Sequence, residues 1–219
     1  ATVDEVKAEI ARVHIHGFDP RSSTVHWRFA EPSGRQIVLE IIDGKCIFYE
    51  NNLGVLTNSP SFDWQLTNLN NYVNLLPGRT EPHTLGNMSL SSFGGGSAMI
   101  GLPGDFTPPS RFVRAAFFQN TAPQKPDAEG SVFTAFHILG SMEIPIGAQF
   151  PVDETPADIP SATQCTCVTD MSGLKFYYRS MYDGGIRCID LKEIDFKKIG
   201  LKSEPLVPSK KEFVHHIRF

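Results

Sequence analysis

Apolar positions near the start of the chain recur at the spacing of a helix. Three of them fall three or four residues apart between Val6 and Val13, so one face of a helix would be apolar. Thr2 stands three residues before Glu5, which is the pattern of a capping box. The sequence therefore predicts a helix from Thr2 to His14. A helix so near the first residue leads us to expect that the segment packing against it lies upstream.

Short apolar runs separated by turn residues follow this helix. They predict four strands: Thr24 to Ala30, Gln36 to Ile42, Cys46 to Glu50 and Gly54 to Asn58. The Asp43-Gly44 pair between the second and third runs is typical of a tight hairpin. Four consecutive strands joined by tight turns predict an antiparallel meander.

Helical spacing returns in the middle of the chain, and strands return after it. Three helices are predicted: Phe62 to Leu76, Ser110 to Asn120 and Ser131 to Met142. Residues 77–109 are rich in Gly, Ser and Pro and predict a long loop, of a kind that is often functional. Three final strands are predicted: Thr163 to Thr169, Leu174 to Met181 and Ile186 to Asp190. This order predicts an α+β fold, with antiparallel sheets covered by helices. The length allows two small domains, but we expect a single domain over residues 1–219.

Composition and charge narrow the classes of partner. The chain has 219 residues, of which 41% are hydrophobic, so it can form a folded core. Lys and Arg total 20 against 24 Asp and Glu, and no segment concentrates the basic residues. We therefore expect no nucleic-acid partner. Because no apolar run reaches the roughly 20 residues of a membrane helix, we expect no membrane partner either.

The cysteines and histidines give weak chemical signals. Cys165 and Cys167 lie two residues apart in a predicted strand, so their side chains should leave the same face. That spacing suits neither a zinc knuckle nor a Cys-x-x-Cys redox motif. Buried, unreactive thiols are the simpler interpretation of these two residues, and of Cys46 and Cys188. His14 and His16 lack a third ligand nearby, so no metal site is predicted.

Two polar residues border the predicted loops and could serve a site. Asn58 stands where an apolar strand stops, and its amide could donate a hydrogen bond to a developing oxyanion. It could equally satisfy its own turn. Arg111 falls in the first turn of a predicted helix, where a cation opposes the helix dipole. A carboxylate partner such as Asp105 or a role in a site would offset that cost, and a surface arginine is the alternative.

The segments around these two residues resemble a known family. The runs VLTNSPSFDWQLTNL from Val55 to Leu69 and GLPGDFTPPSR from Gly101 to Arg111 are similar to two signature stretches of the choloylglycine hydrolase family. That family contains conjugated bile salt hydrolases and penicillin V acylases. The resemblance extends over the whole chain. It implies the four-layer αββα fold of N-terminal-nucleophile hydrolases, and hydrolysis of a linear amide without a cofactor.

The resemblance also implies roles for particular residues. Asn58 matches the asparagine whose amide contributes to the oxyanion hole, and Arg111 matches the arginine beside the nucleophilic sulfur. The family nucleophile is a Cys at the first position of the mature chain, whereas this chain has Ala1 there. The chain therefore resembles the C-terminal portion of a family member, and we expect the nucleophile to lie in an absent N-terminal portion. The chain alone is expected to be inactive.

The resemblance leaves substrate, assembly and location open. It implies a small-molecule amide substrate, of the penicillin V, bile salt or acyl homoserine lactone type, and a homo-oligomer, which is a tetramer in the family. The Gly- and Ser-rich stretch from Ser91 to Met99 resembles the acylases of Gram-negative bacteria and favours a periplasmic location over a cytoplasmic one. The alternative to an enzyme is a catalytically inactive fragment, or a binding or assembly subunit that keeps the fold.

Overall fold

The chain divides into two compact units, and each contains a three-stranded antiparallel sheet. The computed structural model describes residues 2–15, 25–157, 160–203, 205–206, 211–214 and 216–217. The units comprise residues 1–122 and residues 123–219. The single domain expected over residues 1–219 stays a prediction. Within the described ranges, no helix is long and apolar enough to cross a bilayer.

Where the structure describes it, the first unit contains three α-helices and five strands. They are α1 (Val3–Glu9), β1 (Trp27–Ala30), β2 (Gln36–Ile42), β3 (Lys45–Glu50), α2 (Phe62–Asn68), β4 (His83–Leu85), β5 (Met88–Leu90) and α3 (Pro108–Thr121). The second unit contains α4 (Ala128–Gly140), β6 (Cys165–Asp170), β7 (Lys175–Ser180) and β8 (Asp183–Asp190). Helices beside antiparallel sheets confirm the α+β class.

Helix α1 begins at the capping box that the sequence predicts. Thr2 Oγ1 accepts a hydrogen bond from the backbone N–H of Glu5 at 3.2 Å, and Glu5 Oε2 accepts one from the N–H of Thr2 at 2.6 Å. The α-helix ends at Glu9 and continues as a 3₁₀ turn over Ile10–Arg12. The predicted helix is therefore confirmed at its start, but it stops before His14.

Strand β2 is the centre of the first sheet. It pairs antiparallel with β1 on one side and β3 on the other. Residues 37–39 of this strand are completely buried. Asp43 and Gly44 have φ values of 49° and 74°, which suit the two-residue hairpin between β2 and β3. The first three predicted strands are confirmed, with β1 starting at Trp27; the predicted start at Thr24 lies outside the described residues.

The core of the first unit joins this sheet to α2 and α3. Val38, Val55, Phe62, Phe112 and Ala116 form one buried apolar cluster. The rings of Phe62 and Phe112 meet edge to face, with centroids 6.0 Å apart and planes at 72°. This geometry is favourable for aromatic pairs. The aromatic contact fixes α2 against α3.

The fourth predicted strand, Gly54 to Asn58, is wrong. This segment is irregular, because a side chain satisfies its backbone instead of a neighbouring strand. Asn51 Nδ2 donates to the carbonyl of Val55 at 3.1 Å, and Asn51 Oδ1 accepts from the N–H of Gly54 at 2.9 Å. Gly54 also has a φ of 75°, which interrupts an extended chain.

The predicted helix from Phe62 to Leu76 is too long. Helix α2 ends at Asn68 and tightens into a 3₁₀ turn over Leu69–Tyr72. Asn70 Nδ2 donates to the carbonyl of Thr67 at 2.8 Å. Asparagine side chains compete in this way with helical backbone hydrogen bonds, which explains the early end.

The loop predicted over residues 77–109 contains a hairpin. Strands β4 and β5 pair antiparallel across a turn at Gly86, whose φ is 58°. The Gly86-Asn87 pair is itself a hairpin signal, and the sequence prediction overlooked it. The hairpin leaves Leu85 and Met88 exposed.

The second unit packs α4 against a three-stranded sheet in the order β6-β7-β8. The predicted elements from Ser131 onward are confirmed, with shifts at their ends. The largest shifts are at the starts of α4 and β8, which each begin three residues earlier than predicted. Arg179 of β7 pairs with Glu143 at 2.8 Å, and its guanidinium lies over the ring of Phe136 at 5.4 Å. These contacts join the sheet to α4.

The expected burial of the cysteines is wrong. Cys46, Cys167 and Cys188 are exposed, and Cys165 is half-buried. Each lies in a strand, and an apolar residue type alone does not predict a buried position.

Asp105 stabilises the start of α3. Its Oδ1 accepts hydrogen bonds from the N–H of Thr107 at 2.9 Å and from the Thr107 hydroxyl at 2.6 Å. Its Oδ2 accepts a hydrogen bond from the Ser110 hydroxyl at 2.6 Å. The bonds from Ser110 and Thr107 lower the pKa of Asp105 to about 2. The carboxylate thus satisfies polar groups in the first turn of the helix, where negative charge is favourable.

Because the pKa of Asp105 is lowered, we predict that the start of α3 becomes less stable at acidic pH. A carboxyl whose pKa falls on folding stabilises the folded state above its unfolded pKa of about 3.9. That contribution is lost as the pH falls toward the folded pKa of about 2. Asp105→Asn should therefore lower the urea midpoint of unfolding at pH 6, and the difference from wild type should shrink as the pH approaches 2.

Ser110→Ala is the matched variant, because it keeps the charge and removes the hydroxyl that contributes most to the pKa shift. It should reproduce part of the loss at pH 6. A constant difference between wild type and Asp105→Asn at all pH values would show that the charge of Asp105 does not stabilise α3.

Candidate active site

Asn58 is carried by the irregular segment that follows β3. Val55, which is 3% exposed, anchors this segment in the core. Two residues later, the hydroxyl of Thr57 donates to the carbonyl of Pro108 at 3.1 Å. This bond ties the segment to the start of α3, so Asn58 is held beside the helix that carries Arg111.

The structure brings the two predicted site residues into direct contact. Arg111 Nη2 donates to Asn58 Oδ1 at 3.1 Å. A guanidinium has donors but no acceptor, so the oxygen of the Asn58 amide must face it. The amide nitrogen, Nδ2, then points away from Arg111. In the part of the chain that the structure describes, Nδ2 has no hydrogen-bond acceptor of its own, so it is available to donate.

Arg111 is held in place by a backbone oxygen. Its Nε donates to the carbonyl of Phe106 at 3.0 Å. Burial lowers the pKa of Arg111, and repulsion from Arg114 lowers it further. An arginine nevertheless stays charged at neutral pH. The site therefore contains a partly buried positive charge next to Asn58.

Asp105 is not the partner of Arg111. Its carboxylate is occupied by Thr107 and Ser110. Among the residues whose placement is described, no carboxylate lies within 4.0 Å of the Arg111 guanidinium. The alternative that a structural carboxylate neutralises Arg111 is therefore wrong for Asp105, and the cation remains free to act on another group.

Arg114 supports this arrangement, and the sequence prediction missed it. Its Nη1 donates to the carbonyls of Pro103 at 2.7 Å and Asp105 at 2.6 Å, and its guanidinium lies over the ring of Phe106 at 5.6 Å. Arg114 is 5% exposed. It thereby fixes the loop whose Phe106 carbonyl orients Arg111. The available signal was a second arginine one helical turn after the first.

Two buried polar side chains bond the backbone at Asn58 and at the start of α2. Gln65 Nε2 donates to the backbone carbonyl of Asn58 at 3.3 Å, and Glu40 Oε1 accepts from the N–H of Phe62 at 2.7 Å. Glu40 lies 3.1 Å from His26 Nδ1. Burial raises the pKa of Glu40, and the charge of His26 opposes this shift. The sequence did not indicate that Gln65 or Glu40 supports the site. Each lies in a helix or strand that was predicted from the apolar residues around it.

The arrangement can stabilise negative charge. A free amide N–H next to a cation suits an oxyanion or a thiolate. In the described ranges, no three His, Cys, Asp or Glu side chains are grouped so that they could hold a metal ion. Two positions from the sequence prediction, Ala1 and His16, lie outside the described residues.

A family model and two solved structures match the chain. The model describes linear amide C–N hydrolases of the choloylglycine hydrolase family and matches residues 1–204. A mutant of conjugated bile acid hydrolase from Clostridium perfringens has a TM-score of 0.82 at 32% identity, over 99% of this chain and 65% of that one. Penicillin V acylase from Agrobacterium tumefaciens has a TM-score of 0.63 at 23% identity, over 89% of this chain and 53% of that one, and shows the fold alone.

Curated relatives point to the same family. Bile salt hydrolase/transferase of Clostridium perfringens is 36% identical over 88% of this chain and 59% of its own length. Penicillin V acylase of Pectobacterium atrosepticum is 31% identical over 91% of this chain and 52% of its own length. The chain thus spans between half and two thirds of the length of these relatives. It belongs to the choloylglycine hydrolase family of linear amide C–N hydrolases.

Proposed function

We propose that this chain supplies the oxyanion donor and the active-site cation of a cysteine-dependent hydrolase of linear amides. The observation that supports this function best is the orientation of the Asn58 side chain. Because Arg111 occupies Oδ1 at 3.1 Å, the Nδ2 group is left to donate. An asparagine that merely satisfied its own turn would direct its side chain to its own backbone instead.

The proposed nucleophile is a Cys thiolate upstream of Ala1. It attacks the carbonyl carbon of the amide, and the electron pair of the C=O bond moves to the oxygen. Asn58 Nδ2 donates to this oxyanion, which carries the charge of the tetrahedral intermediate. The C–N bond then breaks, and the departing amine takes a proton from the α-ammonium group of the nucleophilic Cys, which received that proton from the thiol when the thiolate formed. Water hydrolyses the remaining thioester to the acid and restores the thiol.

Arg111 has two roles in this proposal. Its positive charge favours the thiolate over the thiol, because an adjacent cation lowers the pKa of a cysteine. Its hydrogen bond to Asn58 also keeps the donor turned toward the oxyanion. These roles are linked, since one guanidinium performs both.

The relatives support amide substrates of two kinds. Those that are 36% and 33% identical are named bile salt hydrolase/transferase, and the one that is 31% identical is named penicillin V acylase. We propose a conjugated bile salt or penicillin V as the substrate of the whole protein. The periplasmic location and the homo-oligomer that the resemblance implies stay predictions.

Expression of the coding sequence together with the frame upstream of Ala1 tests the function. The processed protein should begin with Cys and release glycine from glycocholate or phenoxyacetate from penicillin V. The 219-residue chain, assayed in parallel, should release neither, because it carries no nucleophile at its first position. A folded, processed protein that hydrolyses neither amide would favour the binding or assembly subunit instead.

Asn58→Asp in the processed protein tests the oxyanion donor. Aspartate keeps the size of the side chain and still accepts from Arg111, but it cannot donate to an oxyanion. We expect kcat to fall by about 100-fold or more with little change in KM, because the donor acts on charge that develops only in the transition state. Steady-state kinetics on the cleaved substrate measures both constants.

Asn70→Asp is the matched control, because Asn70 is an exposed asparagine in the turn after α2. It should leave kcat unchanged. An Asn58→Asp variant that keeps the wild-type kcat would exclude Asn58 from the oxyanion hole.

Arg111→Ala tests the cation. Loss of the positive charge should raise the pKa of the nucleophilic thiol. The rate of thiol alkylation should then reach its midpoint at a higher pH than in wild type. The loss of activity should shrink as the pH rises, but it should not vanish, because Asn58 also loses its orienting partner.

Arg12→Ala is the control for the change in net charge, since Arg12 is exposed and paired with Glu9 at 2.8 Å. It should leave the alkylation midpoint in place. Equal midpoints for wild type and Arg111→Ala would leave Arg111 with the orienting role alone.

A further inference from the structure

Two cysteines of the second unit lie within contact distance. Cys165 and Cys167 stand on the same strand, β6, and their Sγ atoms are 3.4 Å apart. Successive side chains of a strand point to opposite faces, so residues two apart share a face. The sequence prediction that both thiols leave the same face is confirmed. Neither cysteine belongs to the hydrolytic set proposed for the first unit.

The two thiols differ in their access to solvent. Cys167 is exposed, whereas Cys165 is half-buried. Burial, and then the hydrogen bond with Cys167, raise the pKa of the Cys165 thiol to about 11. Because the thiolate is the reactive form, Cys165 reacts poorly with reagents from solution. Cys167 is therefore the thiol that meets an external oxidant first.

Cys188 lies on the other face of the sheet from this pair. Cys167 pairs with Tyr178 across β6 and β7, and Cys188 pairs with Tyr177 across β7 and β8. Tyr177 and Tyr178 are successive residues and point to opposite faces of the sheet. Cys188 thus lies on the face opposite to Cys167. Cys46 belongs to β3 in the first unit.

The strand geometry allows a bond between the two sulfurs, but the bond would strain the strand. Residues two apart in a strand have Cα atoms about 6.6 Å apart. Disulfides span Cα distances of about 4.4–6.8 Å, so this separation is close to the upper limit. Ring closure must therefore bend β6 locally. A disulfide under such strain is more easily reduced, which suits a reversible bond better than a permanent one.

We propose that Cys165 and Cys167 form a redox-active dithiol, which a low-molecular-weight disulfide such as oxidised glutathione closes to a reversible disulfide within strand β6.

The reaction proceeds by two exchanges. The thiolate of Cys167 attacks one sulfur of the oxidant, which forms a mixed disulfide and expels one thiolate. The thiolate of Cys165 then attacks the Cys167 sulfur, which forms the Cys165–Cys167 bond and expels the second thiolate. The two protons lost by the cysteines pass to the two departing thiolates. The dithiol is oxidised by two electrons, and the external disulfide is reduced to two thiols.

The residue between the two cysteines connects this bond to the packing of the unit. Thr166 is buried, and its hydroxyl donates to Glu143 Oε1. The same oxygen accepts from Arg179, which lies over Phe136 of α4. Bending β6 at Thr166 would disturb this contact. Oxidation is therefore expected to lower the melting temperature of the chain.

Mass spectrometry of the reduced chain after treatment with oxidised glutathione tests the proposal. Near neutral pH, the peptide that contains both cysteines should lose two hydrogen atoms and become resistant to alkylation. Dithiothreitol should restore both thiols. In the Cys165→Ser variant, glutathione should remain attached to Cys167, because no second thiol can displace it. In Cys167→Ser, Cys165 should stay unmodified over the same time.

Cys188→Ser is the matched control and should close the ring as wild type does, since Cys188 lies on the other face. Equal amounts of glutathione on Cys167 in wild type and in Cys165→Ser would overturn the proposal. So would a wild-type chain that keeps both thiols, or in which Cys165 is modified first. The last two outcomes are measured on the wild-type chain alone, so the test of the proposal does not depend on how well a variant folds.

Discussion

The contact between Phe62 and Phe112 determines where the polar groups of the first unit lie. These rings pack edge to face in the core and hold α2 against α3. Asn58 lies in the segment just before α2, and Arg111 directly precedes Phe112 in α3. The apolar contact therefore brings together two polar side chains from distant parts of the sequence. Packing of this kind restricts position more tightly than a hydrogen bond alone, because a buried aromatic ring has few alternative places.

Local patterns predicted most of the secondary structure. The capping box at Thr2, the Asp43-Gly44 hairpin and the alternating strands of the second unit all depend on neighbouring residues, which a sequence displays directly. The strand predicted from Gly54 to Asn58 is wrong for the opposite reason. Its apolar residues pack in the core beside α3. Its backbone is bonded by two side chains rather than by a neighbouring strand: Asn51 bonds Gly54 and Val55, and Gln65 bonds Asn58. Burial alone cannot distinguish such a segment from a strand.

The candidate site was predictable only in part. Asn58 and Arg111 were identified from two extended motifs, whereas Arg114, Gln65 and Glu40 were not. Their roles depend on which backbone carbonyls and N–H groups the fold places beside them. Such long-range partners have no signature in the spacing of residues along the chain. The orientation of the Asn58 amide is likewise a property of the folded chain, since it follows from the donors of Arg111.

The hydrogen bond from Arg111 to Asn58 changes the electronic character of the amide as well as its direction. An amide oxygen that accepts a bond from a cation draws electron density away from its nitrogen. The N–H groups of Asn58 then carry more positive charge and become stronger donors than those of a solvated asparagine. Through this polarisation, the guanidinium acts on any acceptor bound at Nδ2 without touching it. The neutral side chain thus transmits part of the arginine's charge.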